Sequence, residues 1–374
     1  MKIVLTGGHL SPALSLIEEL KSDEIFFIGR KYSFEGDKAL SLEYELITKL
    51  GIPFIPLTTG RLQRRLSKHS FTSLLKSPVG FTQSLSTLVR IKPDIVMGFG
   101  GYLSLPVIFA ASFLGIPVVI HEQTLEAGLA NKIASKFAKK ICTSWKEDGK
   151  YFPKNKTVLT GNPIRKEFFK LAEDNFNFKN NLPVVYITGG SSGSHVINSA
   201  VFGCIEKLLK FVNIIHQTGD AKKFNDFDKA QKLKESLTGI AGDYQIKKFL
   251  DSAQVAEALK KSTLVVSRSG INTVTELICF KKPCILIPLF FSQKNEQLKN
   301  ALLIKNLGLA EIIEQDKLNP ETLFSEICKM EKNISKYVLN SEQDVNIFKN
   351  ASKNIAKVVR EVAINEEISR KKNK

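Results

Sequence analysis

Short apolar runs alternate with stretches of helical periodicity along most of this chain. Residues 2–5 and 24–28 read as buried strands, with an apolar-faced helix over 12–20 between them. A helix lies within 38–50, and 54–56 read as a short strand. Further strands are predicted over 95–97, 118–121 and 158–159, with an apolar helix between the first two and another over 127–137. The stretch 163–183 is polar, bracketed by prolines, and reads as a connection. The pattern then restarts: strands over 184–188, 214–216, 244–247, 263–267 and 284–287, and a helix over 196–209 with one apolar face. A last amphipathic helix covers 347–364, and 366–374 read as a frayed charged tail. Strands alternating with helices predict an α/β fold of parallel sheets covered on both faces. The repeat predicts two such doubly wound domains, 1–162 and 163–345, facing across a cleft. Residues 346–374 are expected to pack back on the first.

Glycine turns mark the strand ends. They are Thr6-Gly7-Gly8-His9, Gly98-Phe99-Gly100-Gly101-Tyr102 and the turn over 189–194. Each can present backbone N–H groups to an oxyanion, although glycine also serves the turn alone. The most informative segment is Arg268-Ser269-Gly270-Ile271-Asn272-Thr273-Val274-Thr275-Glu276, which follows the apolar strand Leu264-Val265-Val266. A tight turn there opens a helix whose N-terminus suits a phosphate. One turn further on, Glu276 suits sugar hydroxyls, as an acidic residue does for the ribose in dinucleotide sites. Phosphate end followed by diol end reads as a nucleoside diphosphate. An ordinary turn with a surface Glu is the alternative. His9, at a strand end, is either a base for an attacking hydroxyl or a histidine bonded to its loop.

Composition narrows the class. The chain has 374 residues, 43% hydrophobic and 24% charged, and no apolar run long enough to span a bilayer. The five cysteines form no CxxC pair and read as reduced thiols. The N-terminus enters a strand directly and is not read as a signal peptide. The formal net charge is +17, and no carboxylate stands between Glu45 and Asp94. That gap holds Arg61, Arg64, Arg65 and Lys68 beside Phe71, Leu74, Leu75 and Phe81. Basic residues among aliphatic and Phe side chains suit an anionic membrane surface. No familiar nucleic-acid motif accompanies them. No metal site is expected: Asp226-Phe227-Asp228 resembles a metal-binding Asp-x-Asp, but lies in a Lys-rich stretch and reads as solvated surface.

The motifs in order resemble those of the MurG family of GlcNAc transferases, from about Thr6 to Ala301. They are Thr6-Gly7-Gly8-His9-x-x-Pro12-Ala13, Gly98-x-Gly100-Gly101-Tyr102-x-Ser104-x-Pro106, Gly115-Ile116-Pro117, His121-Glu122-Gln123 and Gly161-Asn162-Pro163-x-Arg165. Then come Gly189-Gly190-Ser191-x-Gly193, Phe249-Leu250-Asp251, the 268–276 segment and Gln297-x-x-Asn300-Ala301. The resemblance implies a GT-B fold and an inverting transfer, with no cofactor required. GlcNAc would pass from UDP-GlcNAc to the muramyl 4-hydroxyl of undecaprenyl-pyrophosphoryl-MurNAc-pentapeptide, at the cytoplasmic face of the cell membrane. It implies donor contacts at Thr6, Gly7, Gly8, Thr124, Arg165, Ser191, Leu250, Arg268, Ile271 to Glu276, and Gln297. It implies acceptor contacts at Gly100, Gly101, Tyr102 and Glu122, and makes His9 the base. The chain departs from the family's usual pattern at Val4 and Leu5, in place of glycines, and at Thr124, in place of Asn. Ser192 and Glu296 also differ. These departures keep open a UDP-sugar transferase with another lipid acceptor, and a relative that binds without turnover.

Overall fold

A computed structural model describes residues 1–32, 39–58, 68–165, 168, 175–190, 192–221, 223–289, 295–340 and 342–372; the side chains of 68–77 and 342–344 are outside that description. The chain divides into two compact units, Met1–Ile164 with Ile347–Lys374, and Arg165–Asn346.

The first unit is built on seven parallel strands: β1 (Lys2–Thr6), β2 (Glu24–Gly29), β3 (Phe54–Pro56), β4 (Ile95–Gly98), β5 (Val118–Glu122), β6 (Lys140–Thr143) and β7 (Thr157–Leu159). Their order is β3-β2-β1-β4-β5-β6-β7. The order reverses between β1 and β4, paired with Thr6 beside Gly98, so the crevice at their C-terminal ends is a switch point where α/β folds bind ligands. Alternate residues of β1 feed two cores. Ile3 and Leu5 pack with α1 (Leu10–Ile17) and with Ile355, Val359 and Val362 of α13 (Ala351–Lys372). Val4 packs on the other face with Leu88 of α3 (Lys68–Ile91) and Val107 and Ile108 of α4 (Ser104–Phe113).

The second unit repeats the plan with β8 (Val184–Thr188), β9 (Asn213–Gln217), β10 (Tyr244–Lys247), β11 (Leu264–Ser267), β12 (Cys284–Leu286) and β13 (Ala310–Ile312), ordered β10-β9-β8-β11-β12-β13. Its switch point lies between β8 and β11, with Thr188 beside Ser267. Val185 and Ile187 pack under α6 (His195–Leu208) and α11 (Pro320–Lys332).

Four features differ from the sequence reading. Strands β6 and β13 were not anticipated: one opens on a lysine run and the other has three residues, so neither shows a period. The basic segment from Lys68 onward is part of a 24-residue helix, α3, despite an internal Pro78, while 61–67 lie outside the described residues. The tail is not frayed, since α13 stays helical to Lys372, and Lys139 pairs with Glu366 at 2.8 Å. The end of the proline-bracketed connection is docked: Glu257 accepts from the backbone N–H of Asn175 (3.1 Å) and of Phe176 (3.0 Å). All five cysteines are free; burial pushes the Cys142 and Cys204 thiols up to about 12, which leaves them inert.

Candidate active site

The switch point of the first unit is made by two glycine turns pressed together. Gly8 N–H donates to the Gly100 carbonyl at 3.0 Å, and His9 N–H to that of Phe99 at 3.3 Å. Gly7 has φ +136°, and a Cβ there would stand 2.7 Å from the backbone of Phe99, so only glycine fits. Gly101 has φ +74°, and a Cβ there would stand 3.2 Å from Gly8 N. Thr6 is buried, and its hydroxyl has no partner among the described residues.

His9 caps α1 from an extended backbone and is half-buried. Its ring lies against Gly100, on the side where Asn131 also approaches. Burial lowers its pKa, with the Glu122 carboxylate working against that shift. The ring is therefore neutral at pH 7, as a proton acceptor must be. Its buried Nδ1 has no partner among the described residues.

Glu122 is 1% exposed and ends β5. One carboxylate oxygen accepts from Thr124 N–H (3.1 Å) and hydroxyl (2.8 Å), the other from Gly128 N–H (2.9 Å) and Asn131 Nδ2 (3.0 Å). So Glu122 holds the loop after β5 rather than facing solvent. Thr124 is turned into the same network, within 2.7 Å of the Glu126 carbonyl. Any effect of either side chain on a ligand passes through the loop. His121 is structural: its Nε2 lies 3.1 Å from the Ser144 hydroxyl, and burial lowers it to about 3. Asn131 carries much of this arrangement and went unread in the sequence. The only available signal was an uncharged polar residue, next to Lys132, in the short helix α5 (Leu129–Ala134).

In the second unit the turn after β8 is held from below. A Cβ on Gly193, at φ +75°, would meet the Thr218 carbonyl at 2.0 Å. Asn198 Nδ2 donates to that carbonyl (2.9 Å) and to Asp226 (2.8 Å), and Asp226 also takes His195 Nδ1 at 2.9 Å. Asp226 is 4% exposed, so its assignment to a solvated face is corrected; its partners come from a helix some thirty residues away. Asp228 is exposed. His216 continues the chain of bonds, to Asn198 Oδ1 (3.0 Å) and the Tyr244 hydroxyl (2.7 Å).

After β11, Arg268 is committed to scaffolding. It donates to the Ile287 carbonyl (3.0 Å) and to the hydroxyl of Ser194 (2.9 Å), the residue that caps α6. Ser269 donates to the Gln297 carbonyl at 2.7 Å, and Leu289 N–H donates to Gln297 Oε1 at 2.9 Å. Gly270 then opens α9 (Ile271–Cys279) with no side-chain cap of its own, and a helix N-terminus of this kind suits an anion. Asn272, Thr273 and Glu276 reach the surface, whereas Ile271, Val274 and Thr275 are buried and can offer only backbone. Burial pushes the half-buried Glu276 up to about 8, and Arg165 pulls it back. Arg165 Nη1 also donates to the Ser252 hydroxyl at 3.0 Å, in the first turn of α8 (Ser252–Lys261). Leu250, just before that helix, is 3% exposed, so its backbone alone is available. Arg165, Leu250, Ser252 and Glu276 thus gather on one edge of the second sheet. Ser191, Arg61, Arg64 and Arg65 lie outside the described residues, as do the side chains of Lys68, Phe71, Leu74 and Leu75. Among the described residues, no three His, Cys, Asp or Glu side chains cluster as a metal site.

Two doubly wound parallel sheets in one chain, each with glycine turns at its switch point, are the GT-B architecture, and the family matches make the chain a glycosyltransferase of that fold. Residues 4–143 match the glycosyltransferase family 28 N-terminal domain and residues 184–359 its C-terminal domain. The chain is 36% identical over 353 residues to a protein of Lachnospira eligens, covering 91% of this chain and 94% of the relative. It is 37% identical over 349 residues to one of Clostridium perfringens, covering 91% and 92%. Both are named UDP-N-acetylglucosamine–N-acetylmuramyl-(pentapeptide) pyrophosphoryl-undecaprenol N-acetylglucosamine transferase. The chain belongs to this family, the MurG transferases. Its fold is similar to the crystal structure of Acinetobacter baumannii MurG (TM-score 0.73, 22% identical, covering 96% of this chain and 99% of that one). It is also similar to a UDP-GlcNAc 2-epimerase from Neisseria meningitidis bound to UDP-GlcNAc (TM-score 0.64, 15% identical, covering 96% and 100%).

Proposed function

We propose that this chain moves GlcNAc from UDP-GlcNAc to the muramyl 4-hydroxyl of undecaprenyl-pyrophosphoryl-MurNAc-pentapeptide. The observation that carries the reading is the edge formed by the uncapped start of α9, Glu276 and Arg165. The α9 N–H groups take the UDP pyrophosphate, Glu276 accepts from the ribose hydroxyls, and the Leu250 backbone meets the uracil edge. Gln297 contacts the GlcNAc hydroxyls. The acceptor pyrophosphate lies on the turn Gly100-Gly101-Tyr102. The muramyl O4 attacks the GlcNAc anomeric carbon as the bond to UDP breaks. UDP leaves with the electron pair, the configuration inverts, and His9 takes the hydroxyl proton. N–H groups and Arg165 meet the phosphate charge, so no metal is required in this scheme.

Peripheral attachment at the cytoplasmic face of the membrane fits an apolar line on the first unit. Phe81 meets Phe113, which is 76% exposed, and one turn back on α4 Phe109 meets Phe137. Lys132 and Lys136 stand beside this line in sequence. No described helix is long and apolar enough to cross a membrane. The deciding experiment measures UDP release from UDP-GlcNAc with and without the lipid-linked acceptor. Acceptor-dependent release supports the transfer. UDP binding without release overturns it in favour of another acceptor or a binding-only relative.

A further inference from the structure

Arg30 stands at the C-terminal edge of the first sheet, immediately after β2, which pairs with β1 up to Thr6 beside Ile28. In doubly wound folds the residue at this strand end reads a polar group of the bound ligand, and an arginine there accommodates a phosphate. Its backbone is fixed on both sides. Arg30 N–H donates to the Glu43 carboxylate, and the Ser41 hydroxyl, which caps α2 (Leu42–Lys49), donates to the Arg30 carbonyl. The guanidinium lies over the Tyr102 ring, 5.1 Å from its centroid. Tyr102 directly follows Gly100-Gly101, the turn pressed against Gly8. Stacking uses the guanidinium face and sets the plane of its N–H edge. Nearby, Lys31 lies over the Tyr44 ring at 5.4 Å, and burial pushes the Glu43 carboxyl up while Arg30, by its N–H and its charge, pulls it back. The edge therefore carries two cationic side chains beside the pair of glycine turns.

We propose that Arg30 contacts the pyrophosphate of the lipid-linked acceptor, with Tyr102 as the platform that aims its guanidinium at the Gly100-Gly101 turn. This rests on the acceptor placement above and adds a charged residue to a site otherwise made of backbone. A planar fork bound to a diphosphate is lost with Met and only partly replaced by Lys.

The test compares wild type with Arg30→Met and Arg30→Lys, each checked for folding by circular dichroism. Acceptor KM, donor KM and inhibition by geranyl diphosphate against acceptor are measured. For Arg30→Met the acceptor KM and the geranyl diphosphate Ki should each rise about tenfold or more, with donor KM within about twofold, and Arg30→Lys should fall between. Unchanged acceptor KM and Ki overturn the inference, as does a donor KM that rises equally. If Arg30→Met does not fold, Arg30→Lys decides by the same two readouts. If wild type releases no UDP, the transfer reading fails on its own. Calorimetric binding of geranyl diphosphate then decides for Arg30: weaker binding in the variants supports the site, and equal binding overturns it.

Discussion

The Arg165 guanidinium and the Glu276 carboxyl act on each other across one edge of the second sheet: burial drives Glu276 up to about 8, and Arg165 opposes it. A carboxyl poised there is largely protonated at pH 7, and a carboxylate is the better acceptor for ribose hydroxyls. UDP should therefore bind more tightly as pH rises through about 8, and Glu276→Gln should flatten that dependence. Glu276→Ala should weaken UDP by about 1–3 kcal/mol, the cost of a buried partner lost. Calorimetric titration between pH 6 and 9 reads both, and an affinity indifferent to pH and to the alanine would remove Glu276 from the nucleotide site.

His9 is expected to lose turnover on replacement by Ala, by roughly 10²–10⁴-fold, with UDP affinity little changed. Because burial lowers its pKa, the base form persists to acid pH, and the acid limb of kcat should lie below 6.5. A limb at or above that value, or a variant with near-normal turnover, would send the proton elsewhere.

Phe113 offers a surface test that spares the fold. Phe113→Asp should lower binding to anionic vesicles by about tenfold or more, through lost apolar burial and added negative charge. Thermal stability should be unaffected, because the ring is largely in solvent. Vesicle flotation decides, and full retention would move the membrane contact off this helix.

Two buried imidazoles make stability fall in acid. Burial holds His121 and His216 at about 3, while unfolded histidines titrate near 6.5. Between those limits the unfolded chain binds protons that the native chain refuses. Stability is thus fully present above about pH 7 and falls as pH drops, by up to about 1.4 kcal/mol per pH unit for each group. Asp148 has the opposite sign. Raised to about 8 by burial, it keeps a proton that the unfolded chain releases near pH 4, and destabilises increasingly as pH climbs between the two. His216→Gln should reduce the acid slope of Tm between pH 7 and 4.5 even if Tm itself drops. An unchanged slope would show that other groups set it.

The repeating α/β plan was legible because most strands are apolar runs, several of them ending in glycine, as at Thr6-Gly7 and Thr188-Gly189. The same ends located the turns that the structure places at both switch points. What stayed hidden depends on partners distant in sequence. Asp226 sits among lysines, and nothing local shows that His195 and Asn198 bury it. Arg268 stood among the donor contacts that the resemblance implies, yet its guanidinium ties the start of α6 to the end of β12. Glu122 looked like a ligand contact, yet four hydrogen bonds turn it inward. In each case residue type announced polarity, and tertiary placement decided whether protein or ligand receives it.

The last helix closes a core begun by the first strand. Ile355, Val359 and Val362 of α13 pack with Ile3 and Leu5 of β1, and the whole of the second unit is inserted between them in sequence. On the ribosome, the second unit can fold as soon as its continuous stretch has emerged, whereas the first must wait with one face of its sheet uncovered until α13 has been made. An mRNA truncated just upstream of α13 would therefore yield an intact second unit attached to an open, aggregation-prone sheet, so a defect in α13 would be felt far back in the sequence, at β1.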